Sequence, residues 1–137
     1  MSTRSTISLK HKDGTIESIY CHFDGYLLGV GNILYNCYKS YKKVFELVCL
    51  GNISRLDELP ENSVSYFRDM GEKFDSKLYL SIEEYEQMNY QDYNYLFKNN
   101  KWYYAGFVID INSKVKCNYF ELESYCKEKI NEQLGRV

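Results

Sequence analysis

The run Tyr20-Cys21-His22-Phe23-Asp24-Gly25-Tyr26 is the densest group of chemically capable side chains in the sequence. A thiol beside an imidazole and a carboxylate is the inventory of a nucleophilic site. His22 or His11 would take the proton of Cys21, and Asp24 would orient the imidazole. The same residue types ligate metals, and a tetrahedral centre could draw on His11 or His22 with Cys21, Cys37, Cys49 or Cys117. No metal is expected, and Cys21 and His22 are the candidate ligands if one binds. The five cysteines, Cys126 included, contain no Cys-x-x-Cys pair, so local spacing does not support a metal site and reduced, mostly buried thiols are the simplest reading. Gly29 and Gly31 do not form a phosphate loop, because the GxGxxG pattern and the Walker Lys-Ser/Thr are both missing. No cofactor is expected.

Two further groups carry charge. Arg68, Asp69 and Glu72 follow a predicted strand and, with Asp24, could compose an anion or acid–base site; a polar turn with an ordinary ion pair explains them as well. Residues 78–97 hold no Lys or Arg, four carboxylates (Glu83, Glu84, Glu86, Asp92) and five tyrosines (Tyr79, Tyr85, Tyr90, Tyr93, Tyr95). Carboxylates among aromatic rings suit docking on a basic groove, with charge steering the encounter and rings anchoring it. The expected partner-binding residues are Glu83, Glu84, Tyr85, Glu86, Tyr90, Asp92 and Tyr93. The competing reading is a solvated helix and a hairpin whose tyrosines pack the core.

The elements that would position these groups follow from periodicity and turn chemistry. Residues 4–11 and 16–23 alternate apolar and polar around Asp13-Gly14, which predicts a hairpin with a two-residue type I′ turn. That register sets Ile7 opposite Tyr20, Leu9 opposite Ser18 and Ser5 opposite His22. One face then carries Ile7, Leu9, Ile16, Tyr20 and His22, and the other Ser8, Lys10, Glu17, Ile19 and Cys21. Consecutive strand residues point to opposite faces, so Cys21 and His22 diverge unless a bulge intervenes. Helical spacing predicts a helix over 29–39, and Ser40 caps a second to about Leu50, with Gly51 as its stop. Residues 52–62 read as loop, 64–68 as a strand, 69–73 as a turn and 77–80 as a returning strand. Ser81 and Glu84 form a capping box for a helix over 81–88. Residues 93–98 and 101–109 form a hairpin around Asn99-Asn100, with Phe97 facing Trp102 and Tyr95 facing Tyr104. Asn118 with Glu121 resembles another capping box, opening a C-terminal helix to about Leu134 with Leu122, Tyr125, Cys126 and Ile130 inward. The fold class is α+β: one domain over 1–137, its sheet mostly antiparallel and built from hairpins, with helices packed on it.

Bulk properties narrow the class. The chain has 137 residues, 45% of them apolar and 26% charged, which fits one globular domain. A net charge of −2 argues against direct nucleic-acid binding, which needs a basic face to displace counterions. The first ten residues lack the apolar stretch of a signal peptide, and no run is long enough to span a bilayer, so a cytoplasmic protein off the membrane is expected. Fifteen tyrosines suit an interface, although an AT-rich coding sequence would raise the same count.

The N-terminal pattern, MSTRSTI followed by the Asp-Gly turn and Ile19-Tyr20-Cys21-His22-Phe23-Asp24-Gly25-Tyr26, resembles small uncharacterised proteins of phages and prophages that begin MSTR-T-I and carry an IYCHWDGYP-like segment. Phe23 stands where that segment has Trp, and Leu27 where it has Pro. Phe67-Arg68-Asp69-Met70-Gly71-Glu72 is similar to an RDRGE stretch of the same group. The resemblance brings no catalytic residue with it. It implies a phage- or prophage-encoded accessory protein that binds and inhibits a host defence protein, of the anti-CRISPR kind. The partner would be a host protein such as a nucleic-acid-binding effector, in the cytoplasm of a bacterial cell, met through the acidic, tyrosine-rich surface. The alternatives are a small enzyme or metal-binding protein using the Cys21-His22-Asp24 corner, and a self-assembling structural component.

Overall fold

In the computed structural model, which describes residues 2–88 and 90–124, the chain opens with strands β1 (Ser5–Lys10) and β2 (Ile16–Cys21). Their connection is one residue longer than a type I′ turn. His11 N donates to Thr15 O at 2.8 Å, Gly14 N donates to His11 O at 3.0 Å, and Lys10 pairs with Ile16. Gly14 takes φ +92° while Asp13 stays right-handed. This is a type I turn closed by a left-handed glycine. Asp13 serves it by accepting from Thr15 N and Thr15 Oγ1 at 3.0 and 2.7 Å. The extra residue shifts the register by one, so Ile7 faces Ile19, Ser5 faces Cys21 and Leu9 faces Glu17. The expected cross-strand pairs and face assignments are corrected accordingly. Ile7, Leu9, Ile19 and Cys21 share one buried cluster, while Tyr20 and His22 lie together on the other face.

The remaining strands are β3 (Ile53–Arg55), β4 (Val64–Ser65), β5 (Lys77–Tyr79), β6 (Tyr93–Lys98), β7 (Lys101–Ile109) and β8 (Val115–Glu121). They build one eight-stranded sheet in the order β4-β3-β2-β1-β6-β7-β8, with β5 also on β2. Two pairings are parallel, β1 with β6 and β2 with β3; the other five are antiparallel. The α+β class and the predominance of antiparallel pairing are as expected. Ser5 to Leu9 of β1 are buried on both faces, as a central strand with layers above and below requires.

Helix α1 (Asn32–Cys37) follows a π-helical turn at Leu27–Gly31, and α2 is Tyr41–Val48. The helix expected over 29–39 is thus divided. Ser40 Oγ accepts from Lys43 N at 3.2 Å and caps α2, and Gly51 ends that segment at φ +72°. Both helices cover the first face of the sheet, where Val30, Leu34, Tyr38, Val44, Leu47 and Val48 meet Ile7, Ile19, Tyr95, Phe97 and Trp102. Helix α3 (Ile82–Tyr85) is shorter than the 81–88 expected and covers the opposite face, where Tyr85 and Met88 meet Ile16, Leu96 and Ala105. Among the described residues no helix is long and apolar enough to cross a membrane.

Three expectations change. The 52–62 segment contains β3, whose Ile53 is fully buried. The strand expected over 64–68 stops at Ser65, and β5 returns to β2 rather than to it. Asn118 and Glu121 lie in β8, with Asn118 opposite Gly106, so they form no capping box. Helical backbone begins only at 122–124, with Leu122 buried as expected. The inward placement of Tyr125, Cys126 and Ile130 lies outside the described residues.

Candidate functional site

The Cys21–Asp24 corner does not assemble. Cys21 is fully buried on the helix-covered face, and its Sγ donates to Phe23 O at 3.5 Å. Burial pushes its thiol up to about 11, so almost none is thiolate near neutral pH. His22 sits on the other face, its Nδ1 2.6 Å from Tyr20 Oη. Asp24 is exposed in a left-handed conformation, φ 59°. Its backbone carbonyl accepts from Val30 N at 2.8 Å and sits where a side chain on Gly29 would be. The corner is a chain reversal beside β1: Gly25 N donates to Thr3 O at 2.9 Å, and a side chain on Gly25 would run into Ser5. Among the described residues no three His, Cys, Asp or Glu side chains converge as metal ligands.

Arg68, Asp69 and Glu72 resolve into a structural turn. Arg68 Nε and Nη2 donate to Asp69 Oδ1 and Oδ2 at 2.9 and 2.8 Å. The same guanidinium donates to the carbonyls of Pro60, Glu61 and Ser63. It ties the 60–63 loop to Asp69. Asp69 Oδ2 also accepts from Ser65 N at 2.7 Å, ending β4.

The acidic, tyrosine-rich segment is split between three environments. Tyr85 is fully buried beneath α3, and Tyr93 packs on the opposite face of the sheet, against the first cluster. Tyr79 and Tyr95 are also packing residues, in the second and first clusters respectively. Glu84 Oε2 accepts from Leu80 N at 2.6 Å, and Ser81 Oγ accepts from Glu84 N at 3.2 Å, so the capping box forms one residue out of its usual frame. Glu86 Oε2 accepts from Tyr119 Oη at 2.8 Å, binding α3 to β8. Asp92 Oδ2 accepts from Arg4 N at 3.3 Å. Glu83 projects from the first turn of α3 into solvent.

What remains at the surface is Tyr90 with Asp92 beside it. The Tyr90 ring, 39% exposed, stacks on Phe107 at 4.8 Å and 8°. Beside it, β6 stops pairing with β7 at Tyr95 and Tyr104. The gap is a hollow of about 470 Å³ lined by Tyr90, Asp92, Asn94, Gly106, Phe107 and Phe120. Beyond it the β7–β8 hairpin carries Val108, Ile109 and Ile111, all at least half exposed. Sequence reading had no signal for this hollow, because it depends on where the β6–β7 ladder ends.

No family model, no curated protein and no solved structure matches this chain.

Proposed function

We propose that the chain works by binding, as a phage- or prophage-encoded accessory protein that inhibits a host defence protein of the kind anti-CRISPR proteins block. Its working surface is the Tyr90 side of the molecule: Glu83, Glu84 and Glu86 on or beside α3, Tyr90 and Asp92 at the hollow. The resemblance of the N-terminal pattern to that of phage proteins supports the source. The observation that carries the binding mode is the Tyr90–Phe107 stack beside Asp92. A ring already held in place spends little conformational freedom on contact, and a neighbouring carboxylate favours a cationic partner surface. The exposed apolar side chains of the β7–β8 hairpin extend that surface, and patches of this kind mark contact sites. Tyr85 and Tyr93 serve the fold instead.

The test is affinity capture from a bacterial lysate with the wild-type chain and with the double variant Glu83→Lys, Asp92→Lys. The reading expects a basic protein that the wild type retains and inhibits, with both effects lost in the variant. Undiminished capture and inhibition by the folded variant would overturn it. Glu84 is left unchanged in this design because its carboxylate caps α3.

A further inference from the structure

His11, outside the surface just described, is gripped from both sides. Its Nε2 lies 2.7 Å from Glu17 Oε1, and its Nδ1 is in hydrogen-bond contact with Tyr41 Oη. An ionised carboxylate can only accept, so Nε2 carries the ring proton and donates it to Glu17. Nδ1 then holds a lone pair that accepts from the phenol. Carboxylate, imidazole and hydroxyl follow one another in the order of a nucleophilic triad, with a tyrosine in the hydroxyl position.

Three separate elements converge to make this series. His11 leaves β1, Glu17 is the second residue of β2, and Tyr41 is the first residue of α2. Phe45, one turn along α2, fixes the geometry: its ring is parallel to Tyr41 at 6.1 Å and meets His11 edge-on at 6.0 Å. Tyr41 is 42% exposed, whereas the side chains of His11 and Glu17 are only 16% and 30% exposed. The phenol is reachable and the groups behind it are shielded. All three line an open hollow of about 670 Å³ with Lys12, Asp13, Thr15 and Leu78.

We propose that Tyr41 is a nucleophile, with His11 as its general base and Glu17 orienting the imidazole, and that its substrates are neutral activated acyl donors. The charge of the hollow selects the class. Lys12 is its one cation among the described residues, and Asp13 lies beside it, so nothing there gathers positive charge for a phosphoryl group. Leu78 and Phe45, 60% and 40% exposed, offer apolar surface to an acyl chain.

In the step, Tyr41 Oη bonds to the acyl carbonyl carbon while His11 Nδ1 takes the phenol proton. The resulting imidazolium is held by Glu17. Collapse breaks the bond to the leaving oxygen, which departs with the proton from His11 and leaves an O-acyl tyrosine. His11 Nδ1 then takes a proton from water as the water oxygen bonds to the acyl carbon; collapse breaks the bond to Tyr41 Oη, which regains its proton from His11 as the acid leaves. Burial and the negative charges of Glu17 and Asp13 hold the Tyr41 phenol above its ordinary value, so the proton must leave to a base during attack rather than beforehand.

The chain supplies its own controls. Tyr20 is bonded to His22 at 2.6 Å, but no carboxylate bonds to that ring among the described residues. Tyr26 is as exposed as Tyr41, and among the described residues no histidine is hydrogen-bonded to it. The experiment treats the whole protein with p-nitrophenyl acetate, quenches in acid and maps acetylated tyrosines by mass spectrometry. Tyr41 should be acetylated first, at least about 100-fold faster than Tyr26, given what a positioned base contributes. Glu17→Gln should slow acetylation of Tyr41 by at least about tenfold without changing Tyr26, and Tyr41→Phe should remove the early release of nitrophenolate. Equal labelling of Tyr41 and Tyr26 in the wild type would overturn the proposal, and that comparison needs no variant to fold. Acetyl retained on His11 without transfer to Tyr41 would overturn it too, as would a folded Glu17→Gln variant with an unchanged rate.

Discussion

Asn52 Oδ1 accepts a hydrogen bond from the backbone N of Tyr20 at 2.9 Å, in the gap where β5 has left the edge of β2 and β3 has not yet joined it. Strand β5 pairs with residues 16–18 and β3 with Cys21, so the amide of Tyr20 would otherwise face the fork without a strand partner. Asn52 is held in turn by Asp75: its Nδ2 donates to Asp75 Oδ2 at 3.1 Å and its N to Asp75 O at 2.9 Å. One side chain thus joins two strands that share an edge without touching each other as a ladder.

Replacing Asn52 should therefore cost more than a surface polar change. Asn52→Ala strips the acceptor from a part-buried amide and should lower stability by about 1–3 kcal/mol in urea unfolding. Asn52→Asp keeps the acceptor but sets a carboxylate against Asp75. Like charges raise the folded-state value of the pair, so this variant should be weakest near neutrality and regain stability on acidification toward about pH 4, as one carboxyl protonates. A constant deficit across that range would show that charge is not the reason.

The turn between β6 and β7 has both central residues left-handed, Asn99 at φ 53° and Asn100 at φ 61°. That is the two-residue geometry for which Asn-Gly is the favoured pair. Asn100→Gly should stabilise the hairpin by up to about 1 kcal/mol, and Asn99→Val should destabilise it by about 1–2 kcal/mol, since a branched side chain is costly there. Thermal unfolding of both variants reads the sign directly.

This hairpin also marks what could be read from the sequence. Phe97 faces Trp102 and Tyr95 faces Tyr104 as its alternation and turn residues require. The first hairpin was legible in existence but not in register, because Asp13-Gly14 serves a two-residue and a three-residue loop equally well. Strand β3 was lost inside a polar stretch: three residues cannot display a period, and its place is set by parallel pairing with β2. Asn118 and Glu121 had capping spacing and strand surroundings at once, and the pairing with β7 decided between them. The site was less legible than the fold. The local cluster at Cys21 dispersed across the sheet, whereas His11, Glu17 and Tyr41 meet only because the shifted loop and the start of α2 bring them together. His11 was visible as a base, but nothing in its spacing named its partners.

Trp102 Nε1 donates to Tyr38 O at 2.7 Å, fastening β7 to the end of α1 inside the core. The ring also meets Phe97 edge-on at 5.1 Å. Trp102→Phe retains a ring but leaves the Tyr38 carbonyl without this donor, and should cost about 1–3 kcal/mol. Trp102→Ala adds a cavity and should cost about 3–5 kcal/mol. Chemical denaturation followed by far-ultraviolet dichroism separates the two, since Trp102 is the only tryptophan and fluorescence is lost with it.

Cys21 should be the least reactive of the described thiols and a source of alkaline instability. It is fully buried, whereas Cys49 is exposed, so iodoacetamide should label Cys49 first and Cys21 last in the native protein. The pH dependence follows from the direction of the shift. Burial raises the folded-state value from 9.0 to about 11, so the folded chain holds this proton more tightly than the unfolded chain does. The associated stability is fully present below about pH 9 and is lost as pH rises from there through about 11, by about 3 kcal/mol in all. Cys21→Ala lacks the proton and should show a shallower loss across that window, even though its stability at pH 7 falls through the smaller side chain. Parallel alkaline slopes for wild type and variant would place the titration elsewhere, because removing the only group that changes must remove its share of the slope.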